Sequence, residues 1–404
     1  MPTLKYYTRG RVVSRSLLVI SVLASWIGLL MCGELPGQAT PATPAGPPAA
    51  PAMADAGGTA EYVVDPIDRA QMRNREVPRI LRGTGLAAAD GATLDEHFTK
   101  YVLAEWSQPE NIDNLTVYRN KLRNSLKSVR SDAVRTHLNA LILAFMKDRA
   151  EKNYHPAVRI NALLMIGELN SAYGGGRDQP DTPYAEAFPV LVGEFVSPTQ
   201  TDAVKVASLV GILRHLRDGG GTAPGDRNTL ATEAYQLVTS KTAPGRSAAG
   251  HAWMRALAAE ALGELKVAGN NGSVITALAQ MAAEQGIPFS ARCAAAEALA
   301  KFNLRGAAGL DASSLTSALG RLAADACAAE KKAPSPSARR LKVCLHCAAA
   351  GLAAVAPLDS ASVAKVQAVL KPLLDTFEDR RLSDDEIMKK VSEELPKLQR
   401  LLSS

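Results

Sequence analysis

Cys344-Leu345-His346-Cys347 is the one sharp motif whose residue types and spacing could do chemistry unaided. Two thiols at that spacing can exchange electrons as a dithiol and disulfide, share a metal, or, with a suitably placed histidine, hold haem. Each use sets a condition. A redox pair needs its first cysteine at a helix N-terminus, where the dipole lowers the thiol pKa; here the helix is expected to begin near Ser337, about two turns earlier. Structural zinc takes four ligands, and no second Cys or His pair is spaced nearby. Haem attachment needs a histidine directly after the second cysteine, where Ala348 stands. The expected role of both cysteines is therefore packing on an apolar stripe, cysteine being among the residues most often buried. A structural disulfide from Cys327 to Cys344 or Cys347, across a helix pair, is the second reading, and metal or redox work the last.

Other templates fail sooner. The histidines His97, His137, His155, His215, His251 and His346 are spread over nearly the whole chain and most are expected at the surface or as helix caps, with His155 a cap before Pro156. H-E-x-x-H and G-x-S-x-G are absent, which removes the zincin and hydrolase templates. The glycine triplets 174–176 and 219–221 have no following Gly-Lys-Ser/Thr and no preceding strand, so a phosphate loop is not expected. Glu168 and Glu264 could be imagined as paired carboxylates, but they recur at equivalent places in similar helices, which argues for exposed positions near helix ends. No catalytic, cofactor-binding or metal-binding residue is assigned, no cofactor is expected, and the chain is not expected to be an enzyme.

The elements that must position these residues are helices. In His155-Pro156-Ala157-Val158-Arg159-Ile160-Asn161-Ala162-Leu163-Leu164-Met165-Ile166-Gly167-Glu168-Leu169, proline stands where a first helical turn accepts it, and Val158, Ala162, Met165, Ile166 and Leu169 form one apolar stripe. Its start returns in Ser131-Asp132-Ala133-Val134-Arg135 and Thr201-Asp202-Ala203-Val204-Lys205, and its end in Ala261-Leu262-Gly263-Glu264-Leu265 and Ala298-Leu299-Ala300-Lys301-Phe302. The bases Arg159, Lys205, Arg255 and Arg292 are 46, 50 and 37 positions apart. Those steps bracket the roughly 40–47 residues of a HEAT or armadillo unit. A fifth unit covers 338–355, and weaker helices are expected over 184–195, 228–240, 273–284, 313–330 and 360–377. Earlier helices are expected over 93–106, with Thr93 and Glu96 as a capping box, and over 114–129 and 132–151. The last helix, 387–402, follows a second capping box from Ser383 to Glu386 and reads as the polar cap that a stack of repeats needs.

Residues 1–39 read as an export signal: Lys5, Arg9, Arg11 and Arg15 precede an apolar run over 17–31, and Gly37-Gln38-Ala39 offers small residues for cleavage after Ala39. The run is short beside the roughly 20 residues of a membrane span, and an uncleaved N-terminal anchor is the alternative. Cys32 makes a poor lipoprotein site because Met31 stands where a small residue belongs. Residues 40–60 are rich in Ala and Pro and read as a disordered tether. An N-terminal helical cap is expected over 61–110, where Arg69, Arg73, Arg75, Arg79 and Arg82 form a solvated face or, more sharply, a docking patch for an anionic surface. Four bases against one acid in 1–39 account for half of the formal +6, leaving about +3 on the mature chain. So weak and dispersed an excess is no footprint for nucleic acid.

Over 111–404 the array resembles HEAT-repeat proteins, and the helix carrying Val158-Arg159 and Gly167-Glu168-Leu169 is similar to the second helix of bacterial HEAT units of the type also seen in phycobilin-lyase-like proteins. The run Asn153-Tyr154-His155-Pro156-Ala157-Val158-Arg159 further resembles exported, uncharacterised bacterial HEAT proteins. The resemblance implies an all-α fold, a right-handed α-solenoid of about five to seven helix pairs. It also implies that an Asp in the turn and a base early in the second helix tie successive units together. Asp202 with Lys205 fits that pattern; Pro156 replaces the Asp before Arg159, and Phe289 stands there before Arg292. Arg159, Lys205, Arg255 and Arg292 are thus candidate inter-repeat or concave-face positions. Stacked helix pairs offer a long surface without a closed pocket, so the expected function is a non-catalytic scaffold in the periplasm or cell envelope that binds a protein or peptide on its concave face. A lyase-like or tetrapyrrole-handling HEAT protein and a membrane-anchored envelope spacer are the alternatives. No nucleic-acid partner is expected, and a membrane only through an uncleaved N-terminal segment.

Overall fold

Narrow stripes of alanine and leucine cannot close a core within one helix hairpin, so each helix must share its apolar face with several neighbours. The computed structural model describes residues 61–403 apart from 152, 176–178, 220, 244, 308 and 380. The expected signal over 1–39, its cleavage after Ala39 and the tether over 40–60 lie outside the described residues. Among the described residues no helix is long and apolar enough to cross a membrane.

The chain enters with α1 (Glu76–Arg82) and α2 (Ala88–His97), continues through tight turns to Asn114, and then forms α3 (Leu115–Ser128). Six pairs of helices follow: α4 (Asp132–Glu151) with α5 (Pro156–Glu168), α6 (Ala187–Val196) with α7 (Asp202–Asp218), α8 (Pro224–Thr239) with α9 (Ala248–Leu265), α10 (Ser273–Ala283) with α11 (Phe289–Leu299), α12 (Ala312–Lys332) with α13 (Ala338–Val355), and α14 (Ser360–Glu378) with α15 (Asp384–Ser403). The two members of each pair pack on each other, and the second helices also pack in succession, α3 on α5, α5 on α7, and so on to α13. The first helices do the same from α6 to α12. At the end the order reverses, because α14 packs on α13 while α15 packs on α12. Among the described residues the result is an all-helical, solenoid-like stack of two layers, interrupted by a small antiparallel ribbon of β1 (Asn170–Ala172) and β2 (Thr182–Pro183) in the connection after α5.

Local chemistry explains the boundaries. All five stripe residues of the 155–169 segment are buried, and the His155 Nδ1 accepts the Ala157 N–H at 3.2 Å beside Pro156 in the first turn. Ser383 and Glu386 cap α15 reciprocally: the Ser383 N–H donates to Glu386 Oε2 at 2.8 Å and the Glu386 N–H to Ser383 Oγ at 3.3 Å. The box expected at Thr93 and Glu96 does not form. α2 already starts at Ala88, so Thr93 lies inside it and donates its hydroxyl to Ala89 O at 3.0 Å. The spacing of a capping box is also the spacing of two neighbours on one helix face, and the pattern alone does not separate the two.

Candidate functional site

Of the basic residues that mark the repeats, Arg255 and Arg292 sit inside the stack, while Arg159 and Lys205 are half-buried. Arg255 is 2% exposed: its Nε and one terminal nitrogen donate to Val238 O near the end of α8, at 3.1 and 2.9 Å, and it grips Glu284 at the end of α10 with bonds of 3.0 and 2.6 Å. Arg292 is 3% exposed and repeats the arrangement, with Nε on Ala282 O in α10 at 2.7 Å and a terminal nitrogen on Asp325 of α12 at 2.8 Å. Arg159 does so too, donating to Ala150 O of α4 at 3.1 Å and to the Gln200 side chain just past α6. In each case one guanidinium satisfies a carbonyl that the end of its own first helix leaves open and reaches an acid or amide on, or just past, the next first helix. Arginine suits this because its planar fork presents several donors at fixed angles.

Lys205 departs from the scheme. Asp202, in the first turn of the same helix, is held by Arg246 from the loop before α9, with two bonds of 2.6 Å, and Lys205 acts on it only at longer range. The Arg246 bond keeps the Asp202 carboxyl below its usual range. Arg246 also donates to His251 Nδ1 at 2.8 Å, whose Nε2 in turn donates to Ser240 O at 2.8 Å.

A second set of bonds ties together the far ends of the second helices. Arg217 of α7 reaches both Glu260 and Glu264 of α9, and Glu264 also takes Lys301, just past α11, at 2.8 Å. Burial pushes Glu264 up, but Lys301 and Arg217 outweigh it and hold the carboxyl below its ordinary value. Arg214 donates to Gly167 O at 2.7 Å, and Arg119 of α3 lies 3.4 Å from Glu168. Glu168 and Glu264 are therefore not the exposed helix-end residues that their recurrence suggested. Their side chains are 26% and 18% exposed, and each is bound to cations from a neighbouring unit. Nothing in the recurrence of Gly-Glu-Leu signals that burial, because the cations come from other repeats.

The cysteines gather. Cys293, Cys327, Cys344 and Cys347 are all buried free thiols. Cys293 stands on α11, which packs on the α13 helix that carries Cys344 and Cys347; these two thiols and burial push the Cys293 thiol up, and the Cys347 thiol donates to Glu297 at 3.1 Å. Cys327 of α12, the expected disulfide partner, affects Cys344 only through space, and burial pushes its thiol up to about 12. A residue 51 positions from Cys344 in sequence, Cys293 is the neighbour that sequence reasoning missed. Among the described residues no group of three or more His, Cys, Asp or Glu side chains is placed to hold a metal ion.

Two of the six histidines, His215 and His251, are buried, and the other four are not. His251 belongs to the Arg246 network, while His215 of α7 is fully buried beside Phe188 with no hydrogen-bond partner for either ring nitrogen among the described residues. Burial, helped by the neighbouring Arg214 charge, pulls the His215 pKa down to about 4. At the N-terminal end, the arginine-rich stretch splits between a short turn, Arg69–Arg73, and α1. Arg79 there pairs with Glu76 and Asp90, while Arg73, Arg75 and Arg82 are exposed. A shallow open depression between α14 and α15 is lined by Lys365, Val369, Lys397, Arg400 and Leu401.

Compared with known proteins, the chain matches no family model and no curated relative.

Proposed function

We propose that this chain is a non-catalytic protein-interaction scaffold, exported to the periplasm or cell envelope, in which a right-handed solenoid of about five to seven HEAT-like helix pairs binds a protein or peptide along the face of its second helices. The observation that carries the reading is Trp253, 45% exposed on α9. A tryptophan left in water is the side chain most suited to anchor a partner, and it stands two residues from Arg255, whose guanidinium is wholly committed within the stack. Beyond the N-terminal segment, Val117 on α3 and Val343 on α13 are also exposed, so large apolar groups recur along the same layer. Such a surface suits an extended partner better than a small molecule, which needs enclosure on several sides.

The test compares the purified chain with Trp253→Ala as bait in an envelope extract, with thermal unfolding as the control for fold. Loss of a specifically recovered protein from the variant at unchanged unfolding temperature is expected. Equal recovery by both, or recovery of nothing by the native chain, overturns the reading.

A further inference from the structure

We propose that the second-helix face has an occupant within the chain itself, the proline-rich stretch 40–52, with Trp253 as its anchor; this rests on the reading of that face as the binding surface. The close crossings set the level of one second helix against the next. Gly263 meets Ala298, and Gly351 meets Ala296. Counting back ten residues from the first crossing and eight from the second brings Trp253, Pro288 and Val343 to one level. The bonds of Arg217 to Glu260 and Glu264, and the contact of Gly167 with Gly211, carry that level on to Val206 and Val210 of α7 and Leu164 of α5. Trp253 and Val343 are 45% and 47% exposed, Pro288 is exposed, and the other three are half-buried. An apolar row thus crosses five successive second helices and is left open among the described residues.

Spacing and reach select the occupant. Packed helices lie about 8–10 Å apart, and a polyproline II strand advances about 9 Å in each turn of three residues, so every third residue of such a strand meets the next helix. Proline favours that conformation, and aromatic-lined grooves are what proline-rich strands dock in. Residues 40–52 carry no charge, place Pro41, Pro44 and Pro47 at steps of three, and repeat the step from Pro48 to Pro51. The described chain starts on the same layer: the Val63 N–H donates to Asn153 O at 2.9 Å, and the Tyr62 ring stands 5.1 Å from that of His155, just before the first turn of α5. From there Trp253 lies two helices across and about nine residues along, about 22 Å away. The chain between residues 52 and 61 extends over about 30 Å, so the stretch reaches Trp253 with its proline steps falling on α9 and the helices on either side. A partner from outside must displace it, and a proline-rich segment of the partner is the chemistry that competes.

Trp106 is buried, so in the full chain with Trp26→Phe only Trp253 is open to a dissolved quencher. Its fluorescence is quenched with acrylamide in that chain and in a second one that also carries Pro41→Gly, Pro44→Gly, Pro47→Gly, Pro48→Gly and Pro51→Gly, with thermal unfolding as the control for fold. Covering one face of the indole should about halve the quenching constant of the proline-bearing chain relative to the glycine chain, at every protein concentration. A synthetic peptide of residues 40–52, added to the glycine chain at about 1 mM, the effective concentration of a short tether, should restore the protection. Equal quenching of the two chains, or a peptide without effect, overturns the proposal. Protection that grows with protein concentration overturns it too, because the stretch would then come from a second copy. A partner recovered through Trp253 beside equal quenching removes this occupant and leaves the scaffold, whereas halved quenching with no partner recovered removes the scaffold and keeps the occupant.

Discussion

The backbone of Gly167 in α5 touches that of Gly211 in α7: a methyl group added to Gly167 would lie 2.6 Å from Gly211 Cα. Gly263 of α9 repeats the contact against Ala298 of α11, at 2.7 Å. The second helices therefore cross where a glycine on one lets main chain meet main chain, which explains why the recurring helix ending carries Gly before Glu and Leu.

Gly167→Ala should destabilise the fold although alanine is the better helix former. The propensity gain is about 1 kcal/mol, whereas a methyl forced against backbone, which cannot rotate away, costs about 1–3 kcal/mol. Gly193→Ala in α6 is the control, because nothing lies within 4 Å of its added methyl, and there the propensity gain should show alone. Urea unfolding of both variants checks this; destabilisation by both, or by neither, would mean that the close crossing does not decide.

The arginine rungs make a second prediction. Removing Arg255 leaves Val238 O and the Glu284 carboxylate without their donors, and breaking one side of a buried pair costs about 3–5 kcal/mol. Arg255→Ala should lose that much in chemical denaturation, and Arg255→Lys should recover only part, since one ammonium cannot serve both groups. A loss under about 1 kcal/mol, the worth of an exposed pair, would place Arg255 outside the framework of the stack.

How far the sequence disclosed this arrangement depends on the range over which each signal acts. Stripes such as Val158, Ala162, Met165 and Ile166 have a period set within one helix, and their burial follows the pattern. The boundaries of the 132–151 helix and the cap at Ser383 follow from residues within a turn of each other. The side-chain partners of Arg255, Arg292 and Asp202 lie 29, 33 and 44 positions away. No local period encodes which loop meets which helix. Thr93 shows the converse, a local pattern that fits two structures equally well until the preceding Ala88 turn joins the helix.

His215 gives the stack a sensitivity to acid. Its folded pKa, pulled down to about 4, lies below the ordinary value of 6.5, so the fold prefers the neutral ring. The stability it contributes is complete above pH 6.5 and is lost as the pH falls towards 4, where the difference amounts to about 3 kcal/mol. His215→Leu removes the proton site and also the two unpartnered nitrogens. Between pH 7 and pH 4 the native chain should lose about 3 kcal/mol more than this variant; parallel losses would rule out His215 as the cause.

Asp65 is the last of these long-range ties, and it fastens the start of the described chain. Its carboxylate accepts bonds from Arg149 at 3.2 and 2.5 Å and from the Tyr154 hydroxyl at 2.8 Å; its N–H donates to Ser107 Oγ, and its carbonyl accepts from Gln108. Tyr154 answers with a pKa pushed up to about 12, by burial first and then by this bond. The neighbours of Asp65 contribute little, because Tyr62, Val63 and Val64 are all more than 40% exposed. The side chain of one residue therefore holds the strap on α4. Asp65→Ala should cost about 3 kcal/mol, the lower end for an opened buried pair, and should release the strap before the rest unfolds. Limited trypsin digestion reads this out at Arg69, which is exposed and lies just beyond the strap. Cleavage there should become fast in the variant while α4 to α15 stay resistant. Equal cleavage rates in the two chains would show that the backbone bonds, such as Val63 N–H to Asn153 O at 2.9 Å, suffice without the carboxylate.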